Sequence, residues 1–501
     1  MGSESLQAAA SNLVLEQGQP NVDFAAGIET MFSIQSSESS YLIQDIEGQI
    51  PDYISGRYYL NGPSRFSFGG LQYRHWLDGD GMVYSLRFGT EGVRFTNRFV
   101  RTEKFAAEQA AGRPLFRTFG TTFSHDLLKR GLSLESPGNV SVYPFAGTLL
   151  AFGEHALPTQ LDPCTLETIG PFTFGGALHS ISPFSAHPKF DHSSGELVNF
   201  GVFFSGNGAK LCLYCFDWNA KLRWRSNLEL PYPCATHDFG LTPHYAVFYL
   251  TPHILNIDQL VRGHSSLMDS LCWEPGRGSR LLVISRETGK SVVSIPLADR
   301  YSLHTINCFE QEDSLVVDII EFDRPIYDQY QPIPNLFADV PGGCPVRWII
   351  NLRTSEPVER RELDYRLAPD LPAMNPRLSS NPYRDFWMLG LSAAGRRGRK
   401  FFDQLVHANW DEPVLTDIFQ APPKHYLGGE PLFIEDPDSQ GGAIICQEFD
   451  AHHSRSAFLI FDAFDVGAGP VAKLHLKEPI HLAFHSSFLP DRDFTGSKLV
   501  V

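Results

Sequence analysis

No stretch of this 501-residue chain approaches the ~20 consecutive apolar residues that a membrane span needs. The N-terminus has no basic run leading into an apolar core, so no secretory leader is expected. MGSESL also misses the myristoylation pattern, because Leu6 stands where Ser or Thr is required. Basic residues are scarce: 41 Lys and Arg face 57 Asp and Glu, a net charge of −16. Such a surface argues against a nucleic-acid partner, which needs an electropositive footprint. The eight cysteines lack framework spacing. Cys212 and Cys215 form a CxxC, but LCLYCFD reads as a strand, and residues three apart on a strand face opposite sides. A redox or zinc pair is therefore not expected there, and a reducing cytosol is the simplest compartment. HExxH, GxSxG, and Walker or dinucleotide glycine loops are all missing, which leaves no signature of a zinc protease, a serine hydrolase or a nucleotide enzyme.

What is present is a globular mixture, 43% hydrophobic and 20% charged, which excludes disorder and collagen. Length alone suggests roughly three domains at about 150 residues each, a prior that propellers and barrels routinely break. The 38 Phe, 35 Pro and 42 Gly fit a turn-rich β-protein lining something apolar. From Tyr41 onward, short apolar runs alternate with turn residues. LCLYCFDWNAKLRWRSNLEL, RLLVISRETGKSVVSIPL, RWIINLRTSEPVERREL, DQLVHANWDEPVLTDIF and AFLIFDAFDVGAGPVAKLHL each read as a β-hairpin. They begin near residues 211, 280, 347, 403 and 457, a period that accommodates one four-stranded blade with its loops. At about 60 residues per repeat the chain holds about seven blades, so the fold class is all-β, a seven-bladed β-propeller. Two packed β-sandwiches are the competing arrangement. Helical signal is confined to KFAAEQAAG at 104–112 and to the 255–270 region. The expected organisation is a loose tail over 1–28, one domain over 29–495 and a short tail over 496–501.

Among 18 histidines, four occupy similar settings: His187 in FSAHPKFD, His237 in ATHDFGLT, His304 in SLHTINCFE and His485 in LAFHSSFLP. Each opens or lies within a short apolar segment. Their gaps of 50, 67 and 181 residues are about one, one and three blade periods. Equivalent positions on the inner strands of a propeller all point at one axis, so four imidazoles from four blades would meet there and make a metal site. Fe, Zn, Cu and Ni all suit an all-imidazole set. Carboxylates bonded to the outer ring nitrogens would orient the rings, and Glu154 and Glu430, acids in apolar or glycine-rich strand contexts, are candidates. His481 and His485 are four apart, but in a strand that is ~13 Å, too far to share a metal. His452 and His453 read as solvated, and His244 and His253 as structural.

These residues carry a resemblance. The chain is similar to the carotenoid cleavage oxygenases, non-haem iron enzymes that split conjugated double bonds, from about residue 29 to 490. DIEGQIPDYISGRYYLNGPSRF looks like the family's opening strand and its Asn-Gly-Pro turn at Asn61, Gly62 and Pro63, and HWLDGDGMVYSLRF like its aspartate-glycine segment, Asp78 to Met82. SAHPKFD, HDFGLTPHY, LHTINCFE and FHSSF match the four ligand-bearing segments in order. FVRTEKFAAEQAAGRPLFRTFGT and LLAFGEHALPTQLDP resemble the bacterial and cyanobacterial apocarotenoid oxygenases within it. The resemblance implies Fe(2+) held by His187, His237, His304 and His485, with Glu154 and Glu430 behind two of the rings. Asp370, in DLPAMNP, stands where the family carries a third glutamate, one methylene longer. Three consequences are open: the backbone moves inward, a water bridges, or that histidine is less tightly oriented. Leu60 replaces an arginine, and Val140 stands where a threonine is often found near the metal.

The resemblance further implies a cap of loops and short helices over the axis, and an apolar polyene cleaved by O2 into two carbonyl fragments. It implies a long apolar tunnel, for which Phe322 is a candidate wall residue and Val140 a candidate at the metal end. It also implies a membrane-facing entrance, for which the apolar residues of 253–273 are candidates, with packing onto the cap as the alternative. The expected location is thus cytoplasmic, with or without transient membrane contact. Rival readings are a stilbene-cleaving dioxygenase, whose Tyr and Lys phenol grip is not placed in this sequence, and a retinoid or carotenoid isomerase or binding protein of the same fold. A zinc or structural propeller is the remaining rival.

Overall fold

The computed structural model describes residues 27–491, apart from 131–132, 155, 206–207, 328–331, 334, 338 and 394–399. Most of the first tail (1–26) and the whole of 496–501 lie outside the described residues, whereas Ile28 opens a short helix, Ile28–Phe32, and is buried.

Seven antiparallel sheets stand around one axis, numbered here as blades in chain order. Blades 3 to 6 each run from an inner to an outer strand in chain order, blade 4 with an excursion between its second and third strands that holds a two-stranded sheet and a short helix. Their inner strands are Lys189–Asp191, Gly240–Leu241, Tyr301–Gln311 and Asp370–Met374. Blade 2 has Ser141–Phe145 innermost, and blade 7 has His425–Glu435. The circle is closed twice, because each end of the chain contributes a strand to the other's blade. His485–Pro490 pairs with Gly56–Ser64 to become the innermost strand of blade 1. Ile46–Gly48 pairs with Ala472–His475 at the outer edge of blade 7. These two pairings tie the ring shut, while each blade keeps a short inner edge protected at the axis.

Four of the five hairpins anticipated from the sequence are the outer strand pairs of blades 3, 4, 5 and 6, and the fifth is the pair just inside the edge strand Ile46–Gly48 of blade 7. In blade 3 the outermost strand, Leu222–Glu229, alternates half-buried and exposed along its whole length, as expected of a strand with one face to the neighbouring blade. Cys212 and Cys215 lie on its partner, Gly208–Asp217, and all eight cysteines are free. The helix at 103–111 is present. Thr102 caps its start by accepting the Phe105 N–H, and Gly112 ends it in the left-handed region. The 255–270 region holds a short helix, Ile257–Arg262, and a 3₁₀ turn, Met268–Ser270.

One local expectation fails. Asn61, Gly62 and Pro63 do not make a turn; they lie within the strand Gly56–Ser64, paired with Val83, Met82 and Gly81. The strand is sandwiched between two others in blade 1, and Pro63, near its end, is opposite a glycine. Asp78 and Asp80 hold nearby chain in place. Asp78 accepts from the Gly120 N–H at 2.7 Å and the Thr121 hydroxyl at 2.6 Å. Asp80 pairs with buried Lys104 at 2.9 Å, which also reaches Glu108 one turn along its helix.

Three buried histidines outside the axis make the fold sensitive to acid. Burial lowers His75 to about 4, with Asp78 opposing, and lowers His253 to about 4 and His481 to about 3. Each stays neutral when folded but takes up a proton on unfolding below pH ~6.5. Their stability contribution is therefore intact above that pH and lost as pH falls. At pH 5.5 each costs about 1.4 kcal/mol relative to pH 7.5, so about 4 kcal/mol for the three. Denaturant unfolding at the two pH values measures the loss, and His253→Phe is expected to remove about a third of it.

Candidate metal centre

The side chains of His187, His237, His304 and His485 meet on the axis, each offering a ring nitrogen so that the four atoms lie within 4.8 Å of one another. They come from blades 3, 4, 5 and 1, so the steps between them are one, one and three blades, as the spacing predicted. His187 and His237 turn their Nε2 atoms toward each other at 2.8 Å. The rings stand at steep angles, 66° between His187 and His237 and 89° between His187 and His485. Steeply inclined rings converging through one nitrogen each are what coordination requires, and stacking would require the opposite. The His304 Nε2 is buried without a hydrogen-bond partner among the described residues. A cluster of four imidazoles with an orphaned nitrogen at its centre fits a bound cation, which would give that nitrogen its partner.

Behind the rings stand the three carboxylates. Glu154 Oε2 lies 2.9 Å from His237 Nδ1, Asp370 Oδ1 lies 2.5 Å from His304 Nδ1, and Glu430 Oε2 is at 3.5 Å from His485 Nδ1. The shorter Asp370 reaches its histidine directly. Two backbone irregularities deliver it: the ladder slips between Asp370 and Ala373, and Leu371 adopts φ 50°, unusual for a leucine. Of the three consequences open from the sequence, the direct contact leaves no place for a bridging water. Bulges recur at the other inner-strand residues. The ladder slips between Ser302 and Thr305 around His304, and between Gly428 and Leu432 around Glu430. Bulges re-aim side chains at strand ends, and here they aim one residue, His304, at the centre and two, Asp370 and Glu430, at its support.

The electrostatics follow from burial and these partners. Burial, with the neighbouring imidazoles, pushes His187 well below the ordinary histidine value. Burial would do the same to His237, but Glu154 outweighs it and the net shift is upward. At His304 burial prevails over Asp370. Burial works against the Asp370 charge, yet Lys400 and His304 together hold its carboxyl far below the usual range.

A ring of side-chain-to-backbone bonds fixes the ligand-bearing segments to one another. Ser141 Oγ donates to the Ala186 carbonyl at 2.5 Å, next to His187. Ser185 Oγ donates to the His237 carbonyl at 3.0 Å and accepts the His187 N–H at 3.1 Å. Asp238 accepts the Thr305 N–H at 2.8 Å and pairs with Lys189 at 2.7 Å, joining the chain beside His187, His237 and His304. Asn61 donates to the Gly138 and Ser141 carbonyls, and its own carbonyl accepts the Phe484 N–H. The sequence reading missed this ring, although Asp238 is next to a predicted ligand. It also missed Lys400, which is fully buried with Nζ 2.6 Å from Asp370 Oδ2.

Val140 lies beside the centre, its carbonyl accepting the His485 N–H at 3.3 Å. Phe322 is buried near Lys400, the ring centre 5.2 Å from Nζ, and near Tyr301. His481 is not in the cluster: the strand begins only at His485, and His481 Nδ1 bonds Ser64 at 2.9 Å. His452 and His453 are exposed in a turn, and exposed His244 pairs with Glu310. In the 253–270 segment, Ile254, Leu255, Leu260 and Met268 are buried, while Ile257, Val261 and Leu267 are half-buried. No helix among the described residues is long and apolar enough to cross a membrane.

A closed seven-bladed β-propeller with four histidines on its axis, able to coordinate a metal ion, defines an axial-metal propeller. The family model described as retinal pigment epithelial membrane protein matches residues 31–490. This chain belongs to that family, the carotenoid cleavage oxygenases. It is 29% identical to the apocarotenoid-15,15'-oxygenase of Synechocystis sp., over 91% of this chain and 95% of that one. It is 28% identical to an isoeugenol monooxygenase of Pseudomonas putida, over 91% and 96%. The structure of cobalt-substituted Synechocystis apocarotenoid oxygenase superposes with a TM-score of 0.82, at 26% identity, covering 93% of this chain and 99% of that one.

If the carboxylates orient the rings, Glu154→Gln is expected to weaken metal retention by about 10- to 100-fold without unfolding the protein. Competition against a chelator measures this.

Proposed function

We propose that the protein is a non-haem Fe(II) dioxygenase that cleaves one conjugated double bond of a carotenoid or apocarotenoid into two carbonyl products. The observation that carries the reading is the four-histidine cluster with a carboxylate behind three of its rings. His187, His237, His304 and His485 would hold the ion, and Glu154, Asp370 and Glu430 would keep the outer ring nitrogens protonated and the rings in register. A ferrous ion supplies the electrons that let ground-state O2 react with a closed-shell alkene. Both oxygen atoms end as carbonyl oxygens, so no other side chain has to move a proton at the reacting carbons. The surrounding residues instead hold the alkene in place and keep water out. Val140, beside His485, contributes an apolar surface at the metal end, and Phe322 a wall further along the path of the polyene. The half-buried Ile257, Val261 and Leu267 offer a route for a substrate dissolved in lipid.

A second reading, a phenolic alkene such as a stilbene, is favoured by the isoeugenol monooxygenase, which matches nearly as well and over the same extent. The experiment is to measure iron in the purified protein, add an apocarotenal or a stilbene anaerobically, admit O2, and read products by mass. Stoichiometric iron and two carbonyl fragments from the apocarotenal support the first reading, and fragments from the stilbene alone support the second. Iron with a product of unchanged mass points to isomerisation, and zinc or no metal removes the proposal.

A further inference from the structure

The chemistry above gives no task to one buried ion. Lys400 is wholly enclosed, and Asp370 is the one carboxylate its ammonium touches among the described residues. Its other close neighbours are aromatic faces, with ring centres 4.9 Å away at Phe402, 5.2 Å at Phe322 and 5.8 Å at Tyr327. Such faces attract a cation but do not neutralise it. Gly343 makes room for this arrangement, since a Cβ there would fall 2.1 Å from the Phe322 ring.

Other buried basic groups are accounted for locally. Lys104 braces its own helix against Asp80, and His407 clasps Asp385 and Asp417 at the rim of blade 6. Lys400 differs because its partner is shared with one of the four clustered histidines. Asp370 gives one oxygen to Lys400 at 2.6 Å and the other to His304 at 2.5 Å. The cation therefore stands one carboxylate and one imidazole away from the position of the ion.

Charge decides what it does there. Four neutral imidazoles contribute nothing, while Glu154, Asp370 and Glu430 contribute three negative charges. A divalent ion offsets two of them, and one remains. Glu154 and Glu430 keep part of their surface exposed, but Asp370 and Lys400 are wholly buried, and there uncompensated charge is costly. We infer that Lys400 is a positioning residue which, acting through Asp370, brings the loaded centre to electroneutrality and thereby favours the divalent over the trivalent ion. The inference rests on the reading of the cluster as a redox-active metal centre. Oxidation to the trivalent state adds a positive charge close to Lys400, which the ammonium opposes.

The test is the Fe(III)/Fe(II) midpoint potential of the iron-loaded protein in wild type, Lys400→Met, Asp370→Asn and the double variant. Lys400→Met is expected to lower the potential and Asp370→Asn to raise it. Each should change the ferric-to-ferrous ratio at fixed solution potential by about tenfold or more, as a unit charge at this range would. The double variant, neutral again, is expected to return close to wild type. A packing role would not reverse sign between the two single variants. If Lys400→Met fails to fold, Lys400→Gln, which can donate a hydrogen bond without charge, is expected to lower the potential in the same direction. Wild-type potentials in the lysine variants, with iron fully bound, overturn the inference while leaving the metal reading intact. A wild-type protein that binds no metal overturns both.

Discussion

Replacing His304 by alanine is expected to yield a folded protein that neither retains iron nor cleaves its substrate. The ring supplies one of the four nitrogens of the cluster, and its Nε2 has no hydrogen-bond partner among the described residues. Its removal therefore costs the metal far more than it costs the fold. Losing Lewis-acid and redox function amounts to at least about 4 kcal/mol in the barrier, roughly a thousandfold in rate. Behind the missing ring, Asp370 keeps its ion pair with Lys400, so no isolated charge is left buried and the thermal midpoint should change little. The comparison is His481→Ala. His481 is just as buried and only four residues from His485, but it bonds Ser64 and Ser36. That variant is expected to lose stability and keep its iron. Metal analysis and thermal unfolding on the two proteins should give opposite patterns. Parallel metal loss in both would mean that the cluster's integrity depends on packing around the axis more than on its four nitrogens.

The contrast between these two histidines also marks what a sequence can disclose. The four ligands are far apart in the chain, and no local motif joins them. They were readable because the propeller converts a period of about sixty residues into one rotation step about an axis, so that gaps of 50, 67 and 181 residues became one, one and three blades. The hairpins of blades 3 to 7 were readable for a similar reason, each being a local pairing with its own turn. Blade 1 was less so: its innermost strand, His485–Pro490, comes from the opposite end of the chain. The supposed turn at Asn61 to Pro63 is a casualty of that closure. Asn-Gly-Pro composition favours a turn, but pairing of all three residues with Asp80–Gly89, and of Asn61 with His485 on the other side, enforces extension.

Lys400 shows the other limit. It closes the sequence GRRGRK, which by composition alone looks like a solvated basic loop. Nothing local says that its last residue turns inward to Asp370, thirty positions earlier. The same holds for the direct contact of Asp370 with His304. A missing methylene suggested a gap, and the ladder slip at Asp370 together with the left-handed Leu371 closed it. Side-chain identity announces a carboxylate; backbone irregularity decides where it arrives.

The stability of the closure itself predicts the second large effect. Gly62→Ala is expected to destabilise the protein by about 3 kcal/mol or more, although alanine suits a strand better than glycine does. A Cβ at Gly62 would lie 2.4 Å from the Ala483 Cα and 2.5 Å from its Cβ. The obstacle includes backbone, and that backbone has little freedom to retreat. Ala483 donates its N–H to Gln447 Oε1 at 3.0 Å, and its carbonyl accepts the Gly429 N–H at 2.9 Å, while the Phe484 N–H is held by Asn61. Any retreat of Ala483 is transmitted to His485, two residues on, and to Gly429, the neighbour of Glu430. The variant should therefore lose metal affinity together with stability, unlike His481→Ala. Gly276→Ala is the control, since a Cβ there meets nothing within 4 Å, and its unfolding midpoint and iron content should match wild type. If Gly62→Ala unfolds like the control, the strand from blade 1 and the segment before His485 can separate without cost, and the closure is not what holds the fourth histidine on the axis.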